Sequence, residues 1–508
     1  MSNQPLVTTT LGPVRGSWQG RSARFLGIPY AKPPVGDLRF AAPEAPEAWT
    51  EPLDATAYGP TAQRRSFGDG PTIIPEPSIP GDGVLSVNVF TPNPNPSANP
   101  SPSPDTDTNA DTDAGLPVLV WIHGGGFVAG SAASPWYEGS AFNRDGVVLV
   151  SLGYRLGIEG FLHLEGAPDN RGVLDWIAAL RWVRDNIAAF GGDPAKVTIA
   201  GQSAGGGAVQ TLMVTPSAHD LFRAAISVSG AVMEPQSRAA GLAVSELFTA
   251  RTGLPATAAA LRDVSHDEMQ RLQDLVTAPE EGSAALPGLL LAPFTDGELV
   301  PEDVHAAFRD GSATPVPLML GATHHEFNAA AEFGMPDAPI EAAMGILGSV
   351  GLPPEGIEAY LALHEGATPA QVIGQALTDT LFRGAAVSIA EARAGQDRPT
   401  WLYTFEWLSS APMFGGKAFH CLDLPFAFDL LAADGAENAT GPDAPQKLAD
   451  AMHGAWVAFI RDLDPGAQWP RYTHEHRDTM VWDTTPRVVR DPQGAEREIW
   501  NTRRAPAA

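Results

Sequence analysis

Apolar runs alternate with helix-forming stretches over the middle of the chain, and this order constrains the fold more than any other feature. The pattern predicts strands at 118–122, 147–152, 197–200 and 224–228, with helices at 173–189 and 209–213. Strands that are apolar on both faces and are connected by helices form a parallel sheet covered on both sides. The sequence therefore predicts an α/β fold with a large, mostly parallel central sheet and helices on both faces.

Two later parts of the chain continue this pattern. Apolar runs at 316–320 and 401–405 predict further strands of the same sheet. The Ala-rich segments 232–310 and 330–395 predict helical insertions over the carboxyl edge of the sheet.

The segment 91–115, TPNPNPSANPSPSPDTDTNADTDAG, contains almost no side chain that can be buried. Such a run of Pro, Asn, Asp, Ser and Thr predicts an extended, solvated loop. Strand-like sequences, LSVNVFTP and LPVLVWIHGGG, flank it on both sides. We therefore interpret it as a low-complexity surface loop between neighbouring strands of one domain, 1–508, with a linker or docking segment as the alternative.

Composition excludes several classes of function. The net charge of −27 would repel nucleic-acid phosphates and anionic membrane surfaces. The single cysteine, Cys421, excludes an internal disulfide and a cysteine-based metal site, and it favours a reducing compartment. Because the chain also shows no secretion-type N-terminus and no long uncharged apolar run, we expect a cytoplasmic protein, with leaderless export as the alternative.

A serine lies among glycines at the junction of a predicted strand and helix, in GQSAGGG (201–207). In hydrolases a G-x-S-x-G turn holds a nucleophilic serine on strained backbone, and small flanking residues let the strand and the helix cross closely. Ser203 fits the nucleophile, and Gly201 and Gly205 fit the crossing. Alone, the motif is also compatible with a tight strand–helix crossing that carries an N-cap serine.

A second glycine-rich turn, WIHGGGFVAG, contains Gly124, Gly125 and Gly126 directly after the predicted strand at 118–122. Backbone N–H groups in such a turn can bind the oxyanion that develops during acyl transfer, because no side chain intervenes. A flexible loop is a weaker interpretation for glycines that follow a buried strand. A phosphate-binding loop would need a Lys-Ser/Thr pair, which is missing.

A serine nucleophile needs a base, and the base needs an acid that orients it. His420 follows the predicted strand at 401–405 in a loop with aromatic neighbours, and Glu326 follows the predicted strand at 316–320. The order Ser203, Glu326, His420 is the one expected for a nucleophile turn in an α/β sheet. Asp296, in PFTDGELVPED, is the alternative acid.

With these residues identified, the sequence resembles the type-B carboxylesterases, the family of carboxylesterases and cholinesterases, and especially their bacterial para-nitrobenzyl esterase branch. The resemblance covers nearly the whole chain, and it is carried by the segments FLGIPYAKPPVGDLRF, WIHGGGF, LGYRLGIEGFL, NRGVLDWIAALRWVRDNIAAFGGDPAKVTIAGQSAGG, AISVSGA, KAFHCLDLPFAF and MVWDTTPRVVRDP. It implies an α/β-hydrolase fold and a reaction that requires no cofactor.

The resemblance also implies a role for each matching residue. Ser203 is the expected nucleophile, His420 the general base and acid, and Glu326 the orienting carboxylate. The expected oxyanion donors are the backbone N–H groups of Gly125, Gly126 and Ala204. The residues expected beside the triad or in the pocket are Gln202, Ser229, Gly124, Phe127 and Phe414. Ser229 could instead be a core serine, and Trp407 could line the pocket or pack in the core.

The chain departs from the family pattern at several positions. The usual glutamate before the nucleophile is Gln202, which removes one negative charge near the histidine. The segment that usually resembles EDCL is GDGVL, so the disulfide of secreted relatives cannot form. Cholinesterase pocket residues are replaced by His123 and by Pro235-Gln236, which argues against narrow choline-ester specificity.

The sequence thus predicts a serine carboxylesterase of broad specificity that acts on small-molecule esters as a monomer or weak dimer, without nucleic-acid or membrane partners. An amidase, a carbamate hydrolase or a transacylase would use the same machinery. A non-catalytic binding protein of the same fold is a further alternative, but it should lack a triad residue or an oxyanion glycine. His474 and His476, in THEH, have no matched third ligand, so we predict no metal site.

Overall fold

The computed structural model describes residues 4–62, 73–94, 115–230, 236–278 and 289–503. Most of the predicted loop at 91–115 lies outside the described residues, as does Pro235.

The strands follow one another in this order: β1 Leu6–Thr8, β2 Pro13–Arg15, β3 Ser17–Gln19, β4 Ser22–Pro29, β5 Leu53–Asp54, β6 Ser86–Thr91, β7 Leu116–Ile122, β8 Val148–Leu152, β9 Gly192–Gln202, β10 Ala224–Val228, β11 Leu318–Thr323, β12 Thr400–Phe405, β13 Asp478–Trp482 and β14 Arg487–Arg490. The six strands predicted from apolar runs between residues 118 and 405 correspond to β7 to β12. Those predictions are confirmed.

The α-helices are α1 Ser140–Arg144, α2 Gly157–Phe161, α3 Arg171–Asn186, α4 Ala204–Val214, α5 Arg238–Thr252, α6 Ala258–Leu261, α7 His266–Thr277, α8 Val304–Asp310, α9 Asn328–Gly334, α10 Ile340–Ser349, α11 Pro354–Leu363, α12 Pro369–Thr378, α13 Gly384–Ala394, α14 Leu424–Ala427, α15 Ala436–Thr440, α16 Gln446–Asp462 and α17 Gly494–Trp500. Short 3-10 helices span Gly36–Leu38, Pro135–Tyr137, Ile187–Phe190, Pro216–Leu221 and Pro412–Phe414. A π-helical turn at Asp379–Arg383 connects α12 to α13.

Within the described residues, eleven strands form one sheet in the order β14-β13-β12-β11-β10-β9-β7-β8-β6-β4-β3, and β1, β2 and β5 form a small separate sheet. The seven strands from β8 to β13 in this order pair in parallel, whereas the strands at both edges pair antiparallel. The carboxyl ends of the parallel strands therefore meet at one edge, where the following loops can form a site.

The strands that flank the 91–115 segment lie in the same sheet, but they are not neighbours as predicted. β8 lies between them, parallel to β7 and antiparallel to β6. Because all three strands are buried on both faces, their residue pattern does not specify which of them pair.

Alternation along the strands separates two apolar cores. In β7, Val118, Val120 and Ile122 pack into the core that includes α3 and α4, whereas Leu119 and Trp121 pack into the core that includes α16. Side chains that alternate in this way leave a strand apolar on both sides, as a sheet covered by two helical layers requires. Among the described residues, no helix combines the length and the apolar character that crossing a bilayer demands.

Candidate active site

Ser203 lies at a sharp turn between β9, which ends at Gln202, and α4, which begins at Ala204. Its backbone has φ 58° and ψ −124°, a strained conformation for any residue with a side chain. A Cβ on Gly205 would overlap the carbonyl oxygen of Ile122, so only glycine permits this approach of helix and strand. The predicted close crossing at the serine is confirmed.

The glycine turn after β7 lies directly against this elbow. A Cβ on Gly124 would come within 2.7 Å of the Gln202 carbonyl oxygen and 3.1 Å of the Ser203 Cβ. The next two residues, Gly125 and Gly126, have φ values of 105° and 61°, which favour glycine. The backbone of this turn can therefore approach the serine as closely as the predicted oxyanion site requires.

Three backbone donors near the serine are not used by the fold. Within the residues that the structure describes, the N–H groups of Gly125, Gly126 and Ala204 donate to no backbone oxygen. Two of these groups belong to the glycine turn and the third opens α4. Together they could donate hydrogen bonds to a bound oxyanion.

Glu326 and His420 belong to segments that follow the neighbouring strands β11 and β12. The Nδ1 of His420 donates a hydrogen bond to Oε2 of Glu326. The main chain adds two links, because His420 N–H donates to the Glu326 carbonyl at 3.0 Å and His325 N–H donates to the Ala418 carbonyl at 2.9 Å. The two segments are thus joined by backbone as well as by side chains.

The second oxygen of Glu326 is also bound. Its Oε1 accepts a hydrogen bond from Ser229 Oγ at 2.6 Å and one from the Thr323 N–H at 2.7 Å. Glu326 is only 2% exposed, so these donors replace water around the carboxylate. With Nδ1 of His420 acting as donor, Nε2 is the acceptor nitrogen of the neutral ring.

The side-chain amide of Gln202 donates a hydrogen bond to this acceptor nitrogen. Its Nε2 lies 3.1 Å from Nε2 of His420, and the side chain is almost completely buried. No hydrogen bond joins the Ser203 hydroxyl to His420, although both residues are described. The structure therefore brings Gln202, Glu326 and His420 into one hydrogen-bonded chain beside the serine.

Comparison with known proteins assigns the family. The sequence model of the carboxylesterase family matches residues 3–347 and 353–500. The chain belongs to the carboxylesterase family. The para-nitrobenzyl esterase of Bacillus subtilis (strain 168) is 36% identical over 515 residues, which cover 97% of this chain and 98% of that protein.

Two further relatives agree with this assignment. The phenmedipham hydrolase of Pseudarthrobacter oxydans is 32% identical over 519 residues, covering 97% of this chain and 98% of that protein. A solved structure of a PNB esterase superposes with a TM-score of 0.83 at 33% identity, covering 98% of this chain and 99% of the other. This carboxylesterase therefore has the α/β-hydrolase fold and is a carboxylic ester hydrolase.

The environment of His420 favours its charged form. Burial alone would lower the pKa of the imidazole, but the neighbouring carboxylate of Glu326 opposes burial, and the pKa is raised above its ordinary value. Burial also raises the pKa of the Cys421 thiol, which keeps that group neutral near pH 7. The carboxylate of Glu326 is thus the charge that stabilises an imidazolium in this carboxylesterase.

Asp423 is a second buried carboxyl group close to this pair, and the sequence analysis did not single it out. Its Oδ2 accepts a hydrogen bond from the Tyr403 hydroxyl at 2.9 Å. Burial and the charge of Glu326 raise the pKa of Asp423 to about 7. Its position three residues after His420, in HCLDLPF, is the sequence signal that could have identified it.

Other residues singled out from the sequence have different neighbours. The Phe127 ring is fully buried among Phe161 and Trp176, with centroids 5.1 and 6.0 Å away, so it lies in the core rather than at the site. Phe414 stacks on Phe419 at 3.7 Å in the loop before His420. Trp407 is buried against Phe426 at 5.0 Å, which corresponds to core packing.

The alternative acid, Asp296, accepts hydrogen bonds from the backbone of its own loop. Its Oδ1 accepts the N–H groups of Glu298, Leu299 and Val300 at 2.8 to 3.0 Å, and Oδ2 accepts from Asn170 at 2.8 Å. Among the described residues, these partners lie in its own loop and at Asn170, and none of them is a histidine.

Proposed function

We propose that this carboxylesterase cleaves esters through an acyl-serine intermediate, with Ser203 as nucleophile, His420 as base and acid, and Glu326 as orienting carboxylate. The observation that supports this most is the bond from His420 Nδ1 to Glu326, because it leaves Nε2 as a proton acceptor beside the strained serine. The backbone donors of Gly125, Gly126 and Ala204 support an oxyanion site next to it.

In the first half of the reaction, Oγ of Ser203 forms a bond to the ester carbonyl carbon while its proton passes to Nε2 of His420. The former carbonyl oxygen becomes an oxyanion that accepts hydrogen bonds from the three backbone N–H groups. The carbon–oxygen bond to the alcohol then breaks, and the proton on Nε2 goes to the leaving alkoxide. Glu326 stabilises the imidazolium that exists between these two transfers.

In the second half, water attacks the acyl carbon and gives one proton to Nε2. The bond between Oγ and the acyl carbon breaks, the carboxylic acid leaves, and Oγ recovers the proton. Since the lone pair on Nε2 can serve one donor at a time, Ser203 must replace Gln202 as the partner of His420 before each cycle.

The chemistry of this site does not select a particular ester. We propose broad specificity for small carboxylic esters, with amide or carbamate cleavage and acyl transfer as alternatives that share the acyl-serine step. Phenmedipham belongs among the assay substrates because one relative is named for its hydrolysis. A cytoplasmic location and a monomeric or weakly dimeric state stay predictions from the sequence.

Labelling of the nucleophile tests the proposal. The protein is treated with a fluorophosphonate, the adduct is located by mass spectrometry, and para-nitrophenyl esters of graded acyl length are assayed. We expect an adduct on Ser203, no adduct and no activity in Ser203→Ala, and an adduct on Ser203 in the matched variant Ser229→Ala. An adduct on another residue, or activity that survives Ser203→Ala, would refute the mechanism.

A second pair of variants tests the acid. Glu326→Gln should lower kcat on the order of a thousandfold, because the neutral amide no longer stabilises the imidazolium or fixes its tautomer. Asp296→Asn should keep kcat within about threefold, because this carboxylate binds only its own loop and Asn170. The opposite order of effects would assign the acid to Asp296.

A further inference from the structure

Two phenyl rings pack against the imidazole of His420. The centroids of Phe327 and Phe382 lie 5.1 and 5.2 Å from the His420 centroid, and they lie 5.1 Å from each other. The three rings thus form a nearly equilateral cluster, which we call the aromatic cluster. Phe382 is fully buried and Phe327 partly exposed.

Phe382 owes its position to a rare backbone geometry. It lies in the π-helical turn Asp379–Arg383, where the N–H of Gly384 bonds back to the carbonyl of Asp379. A π-helical turn adds one residue to a helical turn and rotates the residues that follow, and such turns are frequent at functional sites. Phe382 contacts His420 from within this π-helical turn, at the junction of α12 and α13.

A buried polar network fixes this turn. Oδ1 of Asp379 accepts from Gln375 Nε2 and from Arg383 Nη1, both at 2.9 Å, and Oδ2 accepts from the Tyr360 hydroxyl at 2.8 Å. Asp379 and Arg383 are 2% and 5% exposed, so removing either partner would leave a buried charge uncompensated. The network therefore holds both ends of the π-helical turn.

The same network extends to the other phenyl ring. Thr378 Oγ1 accepts from the Phe327 N–H at 3.4 Å and donates to Asn328 Oδ1 at 2.7 Å. Asn328 Nδ2 donates to Gln375 Oε1 at 3.0 Å. Phe327 and Asn328 directly follow Glu326, so one hydrogen-bond network connects the segment of Glu326 with the π-helical turn.

We propose that the π-helical turn is a positioning element for the catalytic base: through Phe382 and Phe327 it fixes the ring of His420 and stabilises the imidazolium formed in each proton transfer. The ring quadrupole attracts a cation that lies over the face of an aromatic ring within about 6 Å of its centroid. Both phenyl rings lie within that distance, and their planes are tilted by 48° and 49° to the imidazole. This role rests on the proposed function of His420, since only a base that becomes charged during the reaction benefits from it.

The test compares Phe382→Leu with Phe142→Leu. Phe142 is buried and lies 4.6 Å from His453, so its substitution removes an aromatic–histidine contact outside the candidate site. In Phe382→Leu we expect kcat to fall on the order of tenfold, KM to change less than about twofold, and the acid limb of the kcat profile to move to lower pH. Phe142→Leu should keep the kcat and the acid limb of the parent protein.

A second pair separates aromatic character from packing. Phe327→Tyr keeps the ring at a partly exposed position and should retain the acid limb, whereas Phe327→Leu should shift it to lower pH. If Phe382→Leu does not fold, this pair still tests whether an aromatic ring beside His420 stabilises the imidazolium. An unchanged acid limb in the leucine variants, or an equal shift in Phe142→Leu, overturns the inference.

Fluorophosphonate labelling keeps the two proposals apart. If Ser203 is labelled in the parent protein and in Phe382→Leu, but the acid limb does not move, the positioning role fails and the acyl-serine mechanism stands. If Ser203 is not labelled in the parent protein, the mechanism itself fails.

Discussion

Replacement of Gln202 by glutamate tests the electrostatics of the proposed base, His420, most directly. The amide nitrogen of Gln202 lies 3.1 Å from Nε2 of His420, in a buried position that ends β9. In Gln202→Glu an anionic oxygen takes the place of this neutral donor. It stabilises the imidazolium, so His420 should bind its proton more tightly and lose its proposed function as base at a higher pH.

The distance sets the scale of the effect. Two unit charges 3.1 Å apart interact by about 5 kcal/mol at an effective dielectric constant of about 20. Burial of the new carboxylate near Glu326 opposes its ionisation and offsets part of this attraction. We therefore expect the acid limb to move up by about one to two pH units, since one unit corresponds to about 1.4 kcal/mol.

The assay is the pH dependence of kcat/KM for a short para-nitrophenyl ester between about pH 5 and 9, which reports ionisations of the free enzyme. Gln202→Met is the matched control, because it has a similar volume and no charge, and its acid limb should move far less. If Gln202→Glu and Gln202→Met share one acid limb, or if the glutamate variant moves it to lower pH, then the charge at position 202 does not control the base.

Two further predictions concern stability. The pKa of Asp423 is raised to about 7 in the folded protein, so its ionisation opposes folding increasingly as pH rises from about 4 to about 7. Between pH 5 and pH 7, the free energy of unfolding of Asp423→Asn should therefore increase by on the order of 2 kcal/mol relative to that of the parent protein, as measured by urea unfolding. Gly205→Ala should lower the free energy of unfolding by roughly 2 kcal/mol or more, because its Cβ would overlap the Ile122 carbonyl. In the same assay Gly454→Ala should raise the free energy of unfolding by up to about 1 kcal/mol, because its Cβ would meet open space inside α16. A stable Gly205→Ala variant, or a pH-independent difference for Asp423→Asn, would contradict the packing or the protonation described for these sites.

Much of the sheet was predictable because its strands carry dense apolar runs between helical stretches. The run at 118–122 coincides with the carboxyl-terminal five residues of β7, and the run at 224–228 coincides with β10. The pairing was not predictable to the same degree. The insertion of β8 between β6 and β7 depends on contacts across the sheet, since all three strands are buried on both faces.

The candidate site, like the sheet, could be predicted from the sequence only in part. Glu326 and His420 could be selected because chain order and short motifs identify them, and the structure brings them into contact. Phe382 could not be selected, because its approach to His420 depends on a π-helical turn that leaves no periodic signal in the sequence. Phe127 was placed near the site by its neighbours in sequence, but the turn directs its ring into the core.

The main-chain bonds between the segments of Glu326 and His420 have a consequence for protein engineering. Every residue type except proline supplies a backbone N–H and a C=O, so these two bonds do not depend on the type of side chain at their ends. Side-chain substitutions other than proline near positions 325 and 418 therefore keep the backbone link between the Glu326 and His420 segments available. A directed-evolution library can vary side chains there while these two bonds continue to join the two segments.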